Sequence, residues 1–162
     1  MYFDLLPFAK ECGVKIATEN MWGWDKEKDQ SSFAACATSA SFNEHLDIVN
    51  DDFFVACLDI GHAEMRGSGE GAANMIRALG NRLQALHIHD NDGNTDGHMI
   101  PFDGNLNFEN FLRKLKNLDH QPPLSLELYM SKSTMYRKAA PDSFVRRAAE
   151  AAKQLEKLYN SI

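Results

Sequence analysis

Four short apolar runs, VKIAT (14–18), FFVACL (53–58), LQALHI (83–88) and LSLEL (124–128), alternate with longer segments of helical spacing, and few architectures accommodate that rhythm. The runs are apolar on both faces, as strands are when helices cover one side and a packed interior the other. Residues 5–12 form a helix-like segment that stops at Gly13, suited to a left-handed C-terminal turn. Ser41 is placed to cap a helix through Val49, with Glu44 three positions on in a capping-box pattern. Met75, Ile76 and Leu79 share a face in 72–79, which ends at Gly80. Asn107 precedes a segment with Phe108, Phe111, Leu112 and Leu115 on one stripe, and Pro141 opens a helix through Leu158. A helix followed by four strand–helix units predicts an α/β fold with a parallel sheet and crossover helices.

At 162 residues, the chain is sized for one domain, 1–162. Its 17 Lys+Arg against 23 Asp+Glu, a formal net charge of -6, argue against a nucleic-acid partner, which would call for clustered basic charge. No apolar run approaches the ~20 residues that cross a bilayer, so no membrane partner is expected. The opening MYFDLLPFAKEC lacks a basic region before its apolar stretch, and a cytoplasmic protein is expected. Cys12, Cys36 and Cys57 are odd in number and widely spaced, unlike a zinc ribbon or disulfide framework. Cys57, within an apolar run, reads as a buried, inert thiol.

Each strand carries a candidate metal ligand at its end: Glu19 in ATEN, Asp59 in LDIGH, His87 in LHIHD and Glu127 in LSLELY. These stand 40, 28 and 40 residues apart. Adjacent strands lie ~4.8 Å apart, so such ends can converge. Three converging carboxylates repel one another unless protons or a cation intervene. With one imidazole they make a hard, oxygen-rich set suited to Mn²⁺ or Mg²⁺, with Zn²⁺ or Co²⁺ also accommodated. Each residue alone has a plain structural reading, a cap, a solvent partner or a core histidine; the joint pattern is what points to a metal.

A second group follows the third strand: Asp90, Asp92, Asp96 and His98 in HDNDGNTDGHMIPFDG. Such Asp residues serve in a Gly- and Asn-rich loop as turn formers. Alternatively Asp96, His98 and His62 line the same mouth and bind a second ion or hold substrate hydroxyls. Trp22 and Trp24 are placed either to wall a sugar face or to pack a loop. Arg66 and Lys132 read as solvated charges or as phosphate contacts.

The segments ATEN, LDIGHA, LHIHDNDGNTDGHMIPFDG and LSLELY resemble the strand-end motifs of the xylose-isomerase-like TIM barrels, a group of sugar-phosphate isomerases, ketose 3-epimerases, inosose dehydratases and apurinic endonucleases. The resemblance runs through nearly the whole chain and covers the C-terminal half of a (β/α)₈ barrel, strands five to eight. It implies that Glu19, Asp59, His87 and Glu127 are metal ligands and that His62 binds substrate in epimerases or a further zinc in endonucleases. Asp96 and His98 resemble the D-x-H pair that serves that zinc. His89 stands as an alternative to His87, with the family's H-x-x-D spacing favouring His87.

A barrel typically needs ~250 residues, so the chain is expected to be a fragment, or to pair with a missing N-terminal half-barrel or as a homodimer. The implied activity is a metal-dependent sugar or sugar-phosphate isomerase or epimerase acting through an enediolate. Glu19 and Glu127 would move the proton, and His62, Asp96, His98 and Trp22 would hold substrate. The alternatives are an abasic-site phosphodiesterase and a non-catalytic half-barrel.

Overall fold

A computed structural model describes residues 1–32, 34–66, 70–132 and 136–162. Its elements are α1 (Tyr2–Cys12), β1 (Ile16–Glu19), β2 (Trp24–Asp25), β3 (Gln30–Ser31), α2 (Ser39–Val49), β4 (Phe54–Asp59), α3 (Ile60–Glu64), α4 (Ala72–Leu79), β5 (Leu83–His87), α5 (Phe108–Leu115) and α6 (Pro141–Ser161). The main sheet is parallel, in the order β1-β4-β5. Helices follow the strands, so the chain forms part of an α/β barrel rather than a closed ring.

The expected fourth strand is reduced to one parallel bridge, Ile88 to Leu126. Ile88 N donates to Ser125 O at 2.8 Å, and Glu127 N donates to Ile88 O at 3.1 Å. The segment enters from Pro122–Pro123, which carry no backbone N–H, and among the described residues its one bridge to the sheet is on the β5 side. That single bridge still brings Glu127 alongside the end of β5.

The register fixes which side chains face inward. Glu19 pairs with Cys57, Cys57 with Ala85, and Asp59 with His87. A register shift between Ala56 and Cys57 makes the β4–β5 pairing irregular. On the opposite face Phe54, Ala56, Leu58, Leu83, Leu86 and Ile88 join the core with Phe42, Leu46, Met75, Ile76, Phe111 and Leu112 from the helices. Burying one such side chain contributes about 1.5–3 kcal/mol. The inward side chains are small below the ligands: Ala17 and Ser125 are exposed, Ala85 half-buried and Cys57 buried.

The helix ends follow local chemistry. Gly13 closes α1 at φ 66, and Asn107 caps α5 by accepting from Asn110 N. In α2 the cap is Thr38, not Ser41: Thr38 Oγ1 accepts from Ser41 N, and Ser41 Oγ accepts from Thr38 N. Ser41 therefore fills the third helical position of the capping box, and the helix starts earlier than predicted. Among the described residues no helix is long and apolar enough to cross a membrane.

Candidate metal centre

The C-terminal ends of β1, β4 and β5 and the bridged segment bring Glu19, Asp59, His87 and Glu127 together, with one ligand atom of each within 4.8 Å of all the others. His87 Nδ1 lies between two carboxylates, 3.1 Å from Glu19 Oε1 and 3.2 Å from Glu127 Oε2. Asp59 is wholly buried, whereas the Glu19 and Glu127 side chains are 28% and 30% exposed at the mouth.

Asp59 is held at both ends. Its backbone N–H donates to Asn20 Oδ1 at 2.7 Å and its carbonyl accepts from Asn20 Nδ2 at 3.0 Å, clamping β4 to the chain leaving β1. Its side chain caps α3, with Oδ1 accepting from His62 N at 2.7 Å. Among the described residues Oδ2 is buried and has no hydrogen-bond partner. A buried carboxylate oxygen left so is costly unless a cation meets it. The donor set and this oxygen fit a hard divalent ion at Glu19, Asp59, His87 and Glu127.

His62, His89, Asp96 and His98 form a second group beside the first, again with one ligand atom of each within 4.8 Å of the rest. Asp96 Oδ1 lies 3.1 Å from His98 Nε2, 3.4 Å from His62 Nε2 and 3.9 Å from His89 Nε2. Asp96 Oδ2 is 3.1 Å from Lys132 Nζ, so Lys132 is engaged with this carboxylate. The loop bearing Asp96 and His98 is strung on Asp90, whose buried carboxylate accepts from the backbone N–H groups of Asn91, Phe102, Gly104 and Leu106 at 2.9 to 3.0 Å. Asp92 serves as a turn former, accepting from Asn94 N and Thr95 N. His98 adopts φ 42, a left-handed conformation that only its surroundings can hold.

The electrostatics follow from burial and charge. Burial disfavours a proton on His62, but Asp96, Asp59 and Asn20 O outweigh it and raise its pKa to about 9. His89 is likewise raised, with Asp59 overcoming burial, while burial and His89 lower His98. Asp96 is lowered, first by the hydrogen bond from His62. Burial raises Asp59, but His89 and His62 more than compensate and leave it lowered. Burial, and then Glu19, Asp59 and Glu127, push the Cys57 thiol up to about 12, keeping it protonated.

Trp22 lies outside both groups. Its Nε1–H donates to Arg66 O at 3.0 Å, and the Arg66 guanidinium lies 4.6 Å from the Trp24 ring centroid. With Asn94 these residues line a cavity of about 90 Å³. A larger hollow of about 390 Å³, lined by Lys15, Phe54, Arg82 and Gln84 among others, lies at the opposite, N-terminal strand ends. Sequence reasoning missed Asn20, Gly61 and the roles of His89 and Asp90; the neighbouring D-N-D-G turn chemistry disguised Asp90 as one more loop carboxylate.

Comparison with known proteins matches residues 3–159 to the model of the xylose isomerase-like TIM barrel. The chain belongs to that family. Among curated relatives of this barrel chain, uncharacterized protein y4fM of Sinorhizobium fredii is 32% identical over 112 residues, 69% of this chain and 34% of that protein. Uncharacterized protein MJ1311 of Methanocaldococcus jannaschii is 28% identical over 126 residues, 76% of this chain and 40% of that protein. The chain thus spans between about a third and two-fifths of the length of these relatives.

Solved structures share the fold. A D-tagatose 3-epimerase-like protein matches with TM-score 0.63 and 24% identity, over 98% of this chain and 52% of that one. A D-allulose 3-epimerase from Methylomonas sp., in complex with D-allulose, matches with TM-score 0.68 and 22% identity, over 93% and 51%. A D-psicose 3-epimerase from Clostridium cellulolyticum H10, with D-tagatose, gives TM-score 0.75 and 14% identity, over 96% and 53%.

Proposed function

We propose that this chain carries the metal-binding half of a sugar isomerase or epimerase that moves a proton on the carbon beside a ketose carbonyl. The observation that carries the reading is the convergence of Glu19, Asp59, His87 and Glu127 at one end of the sheet. Glu19, Asp59, His87 and Glu127 would hold a divalent cation, Mn²⁺ or Mg²⁺ by the hardness of the set, and it would supply positive charge beside the ketose oxygens. Asp59, fully buried and clamped by Asn20, has a holding role. Glu19 and Glu127 flank His87 and reach the mouth, so one takes the proton and the other returns it. The likeness to ketose 3-epimerases supports a ketose as substrate. His62 and His98 are buried and turned toward Asp96, which disfavours direct contact with a sugar.

The test is exchange of a substrate proton. The Mn²⁺-loaded protein is incubated with D-allulose, D-tagatose or D-fructose in D₂O and followed by NMR. Deuterium is expected at the carbon next to the carbonyl, and Glu127→Gln should keep the fold while losing on the order of 10²–10⁴ in rate. Wild-type rates in that variant remove Glu127 from the chemistry. Full metal loading with no exchange on any ketose favours a non-catalytic half-barrel instead. An abasic-site phosphodiesterase is disfavoured by the net charge of -6. Filter binding to abasic DNA at low salt separates that reading.

A further inference from the structure

We infer that Arg66 is a positioning residue: it fastens the three segments leaving β1, β4 and β5 to one another and holds the β2–β3 hairpin in place through Trp22 and Trp24. The fastening stands without the proposed activity, and only its bearing on turnover rests on that reading.

The first argument is where the contacts fall. At their base the segments after β1 and β4 are joined by Asn20, whose side chain bonds both ways with the Asp59 backbone and whose carbonyl lies 3.0 Å from His62 Nδ1. They are joined again farther along, where Trp22 Nε1–H donates to Arg66 O at 3.0 Å. The segments after β4 and β5 are joined first by Asn91 Nδ2, which donates to Gly61 O at 3.0 Å. Farther along, Arg66 N donates to Gly93 O at 2.8 Å. Among the described residues Arg66 therefore closes both seams.

The second argument is the side chain. The Arg66 guanidinium lies 4.6 Å from the Trp24 ring centroid, within cation–π reach. Its other partner is Asp29 Oδ2 at 3.5 Å, with the two side chains 56% and 75% exposed, so that pair adds little. Gly23 lets the two tryptophans share this one partner. A Cβ between them would stand 2.5 Å from Ser32 Oγ.

The third argument is need. Strands β2 and β3 have two residues each, and a two-stranded hairpin is marginal by itself, so its orientation is set from outside. The hollow that Trp22, Trp24, Arg66 and Asn94 enclose is about 90 Å³. Small-molecule pockets begin near ~300 Å³, so the two indoles suit a fastening more than a seat for a sugar. Glu19 begins the segment held in this way, so loosening it acts on one of the two carboxylates proposed to move the proton.

Hydrogen exchange of the metal-free protein, followed by NMR, tests the fastening. The Trp22 indole N–H and the Arg66 amide N–H should be protected in the wild type. Arg66→Ala should speed exchange of the Trp22 indole N–H about two- to fivefold, the size of an exposed cation–π contact expressed in an opening equilibrium. Exchange at the amide of wholly buried Leu58 should stay as it is, which separates a local fastener from a general loss of stability. Arg66→Lys keeps a charge near Asp29 but not the flat guanidinium, and should not restore the wild-type rate. The chain has two tryptophans, both in this cluster, so acrylamide quenching of their emission should also rise in Arg66→Ala. Should Arg66→Ala fail to fold by circular dichroism, Trp22→Phe, which keeps a ring and loses the donor, should speed exchange of the Arg66 amide instead. An unprotected Trp22 indole in the wild type, a wild-type rate in these variants, or an equal rise at Leu58 would each overturn the proposal. Where a ketose exchanges its proton on the Mn²⁺-loaded protein, Arg66→Ala should slow that exchange at saturating ketose, by up to about 10²-fold for a displacement of about 1 Å. A wild-type rate there would overturn the positioning role. If no ketose exchanges, the proposed activity fails and the protection measurements alone decide.

Discussion

Gly61 lies flat against the imidazole of His89: a Cβ at that position would stand 2.0 Å from His89 Cε1 and 2.3 Å from Nε2. The space is denied to any side chain because the buried His89 ring fills it, and Gly61 O also accepts from Asn91 Nδ2 at 3.0 Å.

Gly61→Ala is therefore expected to push the ring aside, at an overpacking cost of about 1–3 kcal/mol. Urea denaturation of Gly61→Ala, His89→Ala and the double variant measures it. The double variant should recover part of the loss, since removing the ring removes the clash. A Gly61→Ala midpoint equal to wild type would sink the steric account.

Asp90→Ala strips the shared acceptor from four backbone N–H groups. Each buried donor left unpaired costs about 1–3 kcal/mol, so this loop carboxylate should rank among the most destabilising losses in the chain. Asp90→Asn should be harmful too, because its amide nitrogen would face two donors. Hydrogen exchange at Phe102, Gly104 and Leu106 reports the outcome, and unchanged protection in Asp90→Ala would contradict it.

The metal-free protein should lose stability as alkali is added. His62 is raised from an ordinary 6.5 to about 9 in the folded state. A raised folded value contributes stability fully below about pH 6.5, and that contribution disappears as pH climbs through about 9. Asp96, held low, works in the opposite sense and loses its share only in acid. Denaturant midpoints at pH 6, 7.5 and 9 in the presence of chelator should fall in that order, and His62→Asn should flatten the trend. An equally steep decline in His62→Asn would assign it elsewhere.

An open sheet whose β1 edge is unpaired among the described residues, with exposed Phe3 (61%) and Phe8 (66%) on α1, should not remain solitary. Light scattering after size exclusion is expected to give a mass above the 18.2 kDa of one chain, and Phe3→Asp with Phe8→Asp should reduce it. A well-behaved wild-type monomer would count against pairing with a second half-barrel.

Much of the architecture was legible because it rests on local rules. Glycines 13 and 80, Asn107 and Pro141 mark helix ends through backbone chemistry that needs no tertiary partner. The strands showed as branched apolar runs, and their spacing anticipated the convergence of Glu19, Asp59, His87 and Glu127. What escaped depends on contacts distant in sequence or on weak local signals. The two-residue strands β2 and β3 carry too few residues for a period, and the short α3 is set by the Asp59 cap immediately after a strand. Thr38 displaced Ser41 as cap because a residue outside the apolar stripe begins the turn. His87 and His89 were rivals for one role on paper, whereas the fold turns them to different groups.

Those two histidines flank Ile88, whose bridge to Leu126 is the sole ladder contact holding the last segment to the sheet among the described residues. The fourth corner of the first cluster, Glu127, consequently hangs from a single rung. A slip of one residue at that rung would exchange inward for outward along the segment. It would carry Glu127 away from Glu19, Asp59 and His87 and shift the carbonyl that His98 Nδ1 faces, making this short contact a point of failure for the mouth of the sheet.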